Sequence, residues 1–274
     1  MTNLNKSEKV AVPTKGSQKS SKKLNIGWFY PHFLNLYGDR GNVEILKERA
    51  LRCDIEVEVF EISLETTLDA SLMNKLNLVF MGGGPDLSQQ KIYKDFLDKK
   101  GSFLVDFLEA NGVGLFICGS YQLLGNYYKS ADGSILEGLG FLDFYTEARE
   151  GPRSIGNAVA TLHEDILSDI YFQKNNTIGD EIVGFENHGG RTYLSGDLTP
   201  LATTTKAFGN NSRDTTEGVL YKNTLGTYFH GPVLARNPHL ADFLIAKALG
   251  IEELAKLDDS VIVSAHARSK ELAR

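Results

Sequence analysis

At positions 113–122 the chain reads Val-Gly-Leu-Phe-Ile-Cys-Gly-Ser-Tyr-Gln, an apolar run that ends abruptly at Cys118 and continues into Gly119 and a helix-compatible segment. This pattern predicts a strand that turns sharply into a helix, with the cysteine at the corner. Backbone N–H groups at the start of the helix point toward such a corner, which favours a nucleophilic thiol there. The alternative is a small buried apolar residue, since free cysteines are often buried.

The segments around this corner alternate between strand and helix patterns. Strands are predicted at 24–30, 55–62, 77–81 and 113–117, and helices at 41–53 and 92–110. This order predicts an α/β fold with a mainly parallel sheet flanked by helices, in which ligands bind beyond the carboxyl ends of the strands. After residue 138 the chain becomes rich in β elements, predicted at 139–147, 155–161, 181–187, 201–205, 217–221 and 225–229, before a last helix at 238–249.

Composition and charge narrow the class of protein. The net charge of −6, without a compact basic stripe, argues against a nucleic-acid partner. Two cysteines exclude a disulfide scaffold and a zinc site built from two CxxC pairs, so we expect no metal in this chain and a reducing, cytoplasmic location. No apolar run approaches the roughly 18 residues that a membrane span needs.

The chain divides into three parts. Residues 1–23 are polar and basic without the apolar core of a signal peptide, and they predict a disordered tail, with a transit role left open. Residues 24–250 form one predicted catalytic domain. Residues 251–274 alternate short apolar pieces with charges, so this extension either docks as a helix or stays mobile.

Two further motifs follow predicted strands and therefore share the edge of the sheet with Cys118. His230 comes directly after the strand at 225–229 and is the preferred candidate for the base that a thiol nucleophile needs. His188 is the rival, although a turn residue bonded to local backbone is the favoured interpretation of it. Gly82-Gly83-Gly84-Pro85 is either a tight turn or half of an oxyanion hole, with the Gly119 amide as the other half.

Several stretches together resemble the class I glutamine amidotransferases, which have a flavodoxin-like sheet, and within them the cobyric acid synthase-like branch. Within that branch the chain is most similar to the glutaminase subunits of lipid II isoglutaminyl synthases, over about residues 24–250. The stretches that carry the resemblance are the glycine run, the cysteine corner and residues 35–42, 137–147, 183–193 and 225–232.

The resemblance implies a role for each matching residue. Cys118 matches the nucleophile that forms a γ-glutamyl thioester, and His230 matches its base. Arg153 matches the arginine that holds substrate glutamine by its α-carboxylate, a task that suits a guanidinium fork, although an exposed arginine without function is the alternative. Further substrate contacts are expected from the glycines and the glutamine of the motifs, namely Gly83, Gly119 and Gln122.

Two positions depart from the family pattern. Ser120 stands where a second glycine is usual after the cysteine, and Pro232 stands where ordinary class I enzymes place the glutamate that orients the histidine. The resemblance implies that an aspartate of a MurT-like partner completes the triad, while Glu186 or Asp143 of this chain is the less favoured alternative. A missing carboxylate predicts weak activity of the chain alone and stronger activity in the complex.

The resemblance implies glutamine hydrolysis that supplies ammonia to a Mur-ligase-like subunit in a heterodimer. It also implies that this partner uses ATP and Mg²⁺ to amidate the D-glutamate α-carboxylate of lipid II at the inner face of the membrane. The absence of a GxxxxGK[ST] motif from this chain supports a separate synthetase. No cofactor is expected in this chain. Two alternatives stay open: an amidotransferase subunit for another acceptor, such as a corrinoid, and a non-catalytic subunit that binds a ligase.

Overall fold

A computed structural model describes residues 22–148 and 151–273 of the chain. The predicted tail at 1–23 falls almost entirely outside these residues, and the first strand already begins at Lys23. None of the helices in the described ranges is long and apolar enough to cross a membrane.

The centre of the fold is a six-stranded sheet with the spatial order β13-β14-β4-β3-β1-β2. Strands β1 to β4 and β14 pair in parallel, and β13 joins the edge in the antiparallel sense. The predicted mainly parallel sheet is therefore confirmed. The bounds of these strands are β1 Lys23–Phe29, β2 Glu56–Ile62, β3 Leu78–Met81, β4 Val113–Ile117, β13 Val219–Tyr221 and β14 Thr224–Thr227.

Helices surround the sheet, and α1 and α8 pack against each other and against its strands. The buried side chains of β1, β3, β4, α1, α4 and α8 belong to one apolar core, whose burial drives the assembly of these layers. The helices are α1 Arg40–Arg52, α2 Ala70–Met73, α3 Asp86–Asp95, α4 Gly101–Glu109, α5 Gly119–Gln122, α6 Glu164–Leu167, α7 Ile170–Asn175, α8 Pro238–Leu249 and α9 Ser260–Leu272.

The single helix predicted at 92–110 is wrong in one respect, because a π-helical turn at Phe96–Lys100 separates α3 from α4. This turn brings Lys100, only 1% exposed, inward to pair with Asp95. The hydroxyl of Tyr30 donates to the same carboxylate at 2.9 Å. The regular α-helix is therefore interrupted where this buried ion pair forms. The spacing of apolar residues does not reveal such an interruption.

The second half of the chain forms two four-stranded sheets, which confirms its β-rich character. One has the order β10-β7-β5-β6 and the other β12-β11-β8-β9. Their strands are β5 Tyr127–Lys129, β6 Ile135–Glu137, β7 Phe144–Ala148, β8 Ser154–Leu162, β9 Glu181–His188, β10 Gly190–Leu194, β11 Ala202–Lys206 and β12 Thr216–Glu217.

The C-terminal extension docks as a helix, the first of the two alternatives for residues 251–274. Helix α9 packs on β8, β9 and the 3-10 turn Val233–Arg236. Arg49 of α1 fixes the start of α9, because its guanidinium bonds to both Asp242 and Asp259 at 2.5–2.8 Å. The extension therefore covers the segment that follows His230.

Candidate active site

The cysteine corner has the geometry expected of an activated nucleophile. Cys118 lies between β4 and α5 with φ +52° and ψ −107°, a conformation that is strained for a residue with a side chain. Its N–H donates to the carbonyl of Thr227 at 2.8 Å, which ties the corner to the end of β14. Although only 8% exposed, Cys118 lines a cavity of about 360 Å³ at the carboxyl edge of the sheet.

Ser120, the residue that replaces a glycine of the family pattern, fastens this corner. Its buried hydroxyl donates to the carbonyl of Met81 at 2.6 Å and accepts from the N–H of Ile117 at 2.9 Å. Met81 ends β3 directly before the glycine run, so Ser120 joins the two loops that form the wall of the site. The substitution thus adds hydrogen bonds to the turn.

His230 reaches the same site from the end of β14. Its backbone exchanges two hydrogen bonds with Phe185 of β9, at 2.9 and 3.1 Å, and its ring is buried under Tyr37 at 4.9 Å between centroids. A Cβ built on Gly83 would lie 2.8 Å from Cε1 of His230 and 3.3 Å from Cβ of Cys118. The predicted nucleophile and base therefore meet beside this glycine.

A carboxylate of the chain itself faces the histidine. Oδ1 of Asp39 lies 3.1 Å from Nδ1 of His230, and both side chains are buried. The expectation that an aspartate of a MurT-like partner completes the triad stays a prediction, because a single chain does not test it. The alternatives within the chain do not face the ring: Glu186 accepts from the N–H groups of Phe208 and Gly209, and Asp143 is exposed and bonded to an asparagine.

The charge balance around the imidazole favours its protonated form. Burial by itself lowers the pKa of His230, but the hydrogen bond with Asp39 and the neighbouring Cys118 outweigh it and raise the pKa to about 10. An imidazolium beside a sulfur stabilises the thiolate, which is the nucleophilic form of cysteine. The pair is therefore poised for attack on a carbonyl carbon.

The sequence predicts Gly83 of the glycine run as a substrate contact in the oxyanion hole, but its N–H has another partner. The N–H of Gly83 donates to Oδ2 of Asp39 at 2.7 Å, so it is not available to an oxyanion. Gly84 lines the cavity beside Cys118, and within the described residues no acceptor bonds to its N–H. A side chain on Gly119 would collide with Gln89, whose amide bonds to the carbonyl of Gly84 at 3.0 Å. The amides of Gly84 and Gly119 are thus the better candidates for oxyanion donors.

The remaining predicted residues also line the cavity. Arg153 donates from Nε and Nη2 to the side-chain and backbone oxygens of Asn187, at 2.8 and 2.7 Å, which fixes the guanidinium and leaves Nη1 near Gly189. Nε2 of Gln122 lies 3.0 Å from the hydroxyl of Tyr228. Cys118, Arg153 and Gln122 therefore share one cavity.

His188, the rival base, has a packing role among the residues that line this cavity. Its ring stacks on Tyr228 with centroids 3.8 Å apart, and Nδ1 lies 2.9 Å from the carbonyl of Gly190. Burial lowers the pKa of His188, which favours the neutral form of the ring. These contacts match the local structural role that the sequence favoured.

Sequence reasoning missed Asp39 and Tyr37 as parts of the site. Both lie at 35–42, a stretch that carried the family resemblance, but no periodicity or spacing connects it to His230. The 3-10 turn Leu36–Gly38, with Tyr37 at φ +54°, delivers both residues to the histidine. The signal that was available is the glycine- and asparagine-rich composition of this stretch, which is typical of a functional loop.

The fold and the site together define the class of protein. It is a thiol-dependent hydrolase with a parallel α/β sheet, and a cysteine, a histidine and a carboxylate lie at the carboxyl edge of that sheet. Residues 25–238 match the CobB/CobQ-like glutamine amidotransferase domain, and the chain belongs to this family. The resemblance seen in the motifs is thereby confirmed.

Two relatives cover most of the chain. It is 40% identical over 227 residues to the lipid II isoglutaminyl synthase (glutamine-hydrolyzing) subunit GatD of Streptococcus pneumoniae, across 83% of this chain and 81% of that protein. It is 43% identical over 226 residues to the subunit of the same name from Staphylococcus aureus, across 82% and 84%.

Solved structures support the fold. PurLQS from Thermotoga maritima aligns with a TM-score of 0.52 at 16% identity, over 84% of this chain and 98% of that one. The glutaminase domain of Trypanosoma brucei CTPS with bound acivicin aligns with a TM-score of 0.53 at 14% identity, over 85% and 98%. At these identities the likeness extends to the architecture alone.

Proposed function

We propose that this chain hydrolyses L-glutamine to glutamate and ammonia as the glutaminase subunit of a lipid II isoglutaminyl synthase. The observation that carries the proposal is the convergence of Cys118, His230 and Asp39 on one cavity that also holds Arg153. The names of the two relatives, each similar over more than four-fifths of both chains, support the same activity.

The reaction proceeds through a thioester. The thiolate of Cys118 attacks the side-chain amide carbon of glutamine, and the oxyanion that forms accepts hydrogen bonds from the amides of Gly84 and Gly119. His230 donates its proton to the leaving nitrogen as the C–N bond breaks, which releases ammonia. His230 then accepts a proton from water, whose oxygen attacks the thioester, and glutamate leaves as the thiolate is restored.

Arg153 and Gln122 select the substrate. The guanidinium of Arg153 has its Nε edge fixed by Asn187, so the remaining Nη1 is held ready for the α-carboxylate of glutamine. Gln122, fixed through Tyr228, lines the same cavity and offers a further polar contact. The cavity of about 360 Å³ is large enough for a free amino acid.

The ammonia is used by a second subunit. We place a MurT-like Mur ligase in a heterodimer with this chain, where it amidates the D-glutamate α-carboxylate of lipid II and yields D-isoglutamine for peptidoglycan. The names of both relatives describe subunits, which supports a complex. ATP and Mg²⁺ belong to that partner, and its lipid-linked substrate places the reaction at the cytoplasmic face of the membrane.

Replacing the nucleophile tests the activity. We expect Cys118→Ala to release no ammonia from glutamine above the uncatalysed rate, because no thioester forms without the sulfur. The measurement is glutamine-dependent ammonia release by the full chain, alone and with its ligase partner. Cys53→Ala is the matched control, since that thiol bonds to the carbonyl of Ala255 away from the cavity.

Wild-type ammonia release from a Cys118→Ala chain would overturn the proposal. A glutamine-mimicking electrophile adds an independent readout by mass spectrometry. A catalytic chain is labelled at Cys118, whereas a non-catalytic ligase-binding subunit stays unlabelled there. Glutamine-dependent amidation of lipid II, with a corrinoid acceptor in parallel, identifies the acceptor.

A further inference from the structure

We propose that Tyr228 is a positioning residue that holds the amide of Gln122 with its oxygen available to the substrate, and thereby makes the cavity selective for a ligand with an α-ammonium group. The inference rests on the proposed glutaminase function and deepens it, because it names the residue that decides how the amino group of glutamine is recognised. Tyr228 acts through Gln122 and needs no contact with the substrate itself.

The amide of Gln122 is held at one end. Its Nε2 donates to the hydroxyl of Tyr228 at 3.0 Å, and the side chain lines the cavity together with Cys118 and Arg153. A Cβ built on Gly190 would lie 2.5 Å from the same nitrogen, so the site is closely packed there. A primary amide has one NH₂ group and one acceptor oxygen. Because the NH₂ group is bonded to Tyr228, the oxygen is left to accept from a ligand.

A row of buried hydroxyl groups gives this bond its direction. The hydroxyl oxygen of Tyr228 lies 2.6 Å from Oγ1 of Thr192, which in turn lies 2.7 Å from Oγ1 of Thr146, and all three residues are fully buried. Each hydroxyl has a single proton to donate. Because the oxygen of Tyr228 accepts from Gln122, its proton goes to Thr192, and the proton of Thr192 goes to Thr146. The hydrogen bonds therefore run one way along the row, starting at the amide.

The ring of Tyr228 is fixed on several sides. Its backbone N–H donates to Oε1 of Glu217 at 2.9 Å, and its ring stacks on His188 with centroids 3.8 Å apart. The ring of Tyr121 packs against it edge-on at 5.3 Å. Burial raises the pKa of Tyr228, so the hydroxyl keeps the proton that it donates. The hydroxyl is thus in place before a ligand arrives, which lowers the entropic cost of binding.

The orientation of the amide decides which ligand the cavity accepts. The guanidinium of Arg153 suits the α-carboxylate of an amino acid, and the oxygen of Gln122 suits its α-ammonium group. A reversed amide would direct its NH₂ group at the ammonium group, and two donors would then oppose each other. Tyr228 therefore favours amino acids over carboxylic acids of the same length that lack the amino group.

Tyr228→Phe in the full chain, assayed with its ligase partner, tests this role. Phenylalanine keeps the stacked ring and removes only the hydroxyl, so the amide of Gln122 loses its fixed orientation. The substrates are L-glutamine and glutaramate, the analogue without the α-amino group. We expect kcat/KM for L-glutamine to fall by about tenfold, mainly through a higher KM, and kcat/KM for glutaramate to change by less than about twofold.

Thr192→Val is a second variant that leaves Tyr228 intact. It removes the acceptor for the tyrosine proton, which Tyr228 then donates to the oxygen of Gln122, and we expect the preference for L-glutamine over glutaramate to fall in the same way. Tyr221→Phe is the matched control, because its hydroxyl donates to Glu109 and it does not line the cavity. An unchanged preference in Tyr228→Phe, or an equal loss for both substrates, would overturn the proposal.

A binding measurement separates this inference from the proposed function. L-glutamate and glutarate, which differ only in the α-amino group, are compared as protectants of Cys118 against alkylation by iodoacetamide. We expect L-glutamate to protect the wild type at the lower concentration, and the two acids to protect Tyr228→Phe equally. This result in a chain that releases no ammonia would support the inference and refute the glutaminase function. Ammonia release by the wild type, with the difference between the acids kept in Tyr228→Phe, would overturn the inference alone.

Discussion

At the scale of single residues, Gly83 leaves no room for a side chain, because three residues of the site surround its Cα. An added Cβ would lie 2.8 Å from Cε1 of His230, 3.2 Å from Oδ2 of Asp39 and 3.3 Å from Cβ of Cys118. Contacts of this length force the imidazole away from the sulfur. The glycine is therefore required by the site and not merely by the turn.

We expect Gly83→Ala to lower kcat for glutamine hydrolysis by about tenfold to 100-fold, since displacements of about 1 Å in a reacting pair have effects of this size. The measurement is ammonia release together with the urea midpoint. The control is Gly196→Ala, where an added Cβ meets nothing within 4 Å. An active Gly83→Ala chain would show that the pair tolerates the displacement.

At the scale of elements, the C-terminal helix depends on one buried ionic cluster. Arg49 of α1 is 3% exposed and pairs with Asp242 of α8 and Asp259, the residue before α9. The same helix α1 begins directly after Asp39, so the cluster and the active site are attached to opposite ends of one element. The ion pairs of Arg49 thereby connect the extension to the helix that follows Asp39.

Arg49→Met tests whether this ionic cluster stabilises the fold and holds α9 in place. The substitution leaves two largely buried carboxylates without their counter-charge, and we expect the free energy of unfolding to fall by about 3–5 kcal/mol. Urea denaturation measures the loss, and limited proteolysis should then cleave near α9. Arg52→Met, at an exposed arginine of the same helix, is the matched control. Equal stability of the two variants would contradict the assigned role of the cluster.

At the scale of the whole molecule, buried histidines make stability depend on pH. Burial lowers the pKa of His239 to about 3, with the neighbouring His266 acting in the same direction. In the unfolded chain the imidazole titrates near pH 6.5. Between these values the unfolded state binds a proton that the native state does not, so this residue removes stability as the pH falls, by up to about 1.4 kcal/mol per pH unit.

We therefore expect His239→Gln to lose less stability than wild type between pH 7 and pH 5, by about 1–2 kcal/mol. Glutamine can retain the contact that Nε2 makes with the carbonyl of Glu181 at 3.1 Å. Urea denaturation at both pH values provides the comparison, and His32→Gln, at an exposed histidine, is the control. Identical pH dependence of variant and wild type would exclude His239 as the cause.

Local sequence pattern was sufficient for the strands of the central sheet and for the cysteine corner. Apolar runs bounded by glycine mark β3 and β4, and a cysteine that ends such a run is placed at the carboxyl edge of the sheet by topology alone. The helix at 238–249 was predicted with the bounds that the structure shows. These features depend on residues within a few positions of each other, which is why the sequence reveals them.

The amino-acid sequence by itself determined a parallel α/β sheet with a cysteine and a histidine at one edge, because strand order and strand ends are written in local hydrophobic patterns. The tertiary structure alone decided which carboxylate faces His230 and where the helix predicted at 92–110 is interrupted. Asp39 is 191 residues from His230, and the first turn of α1, where Gly41 packs closely on Pro232, follows it directly. The π-helical turn likewise accompanies a buried pair between Lys100 and Asp95. Such contacts depend on which surfaces meet after folding, and no local pattern encodes that.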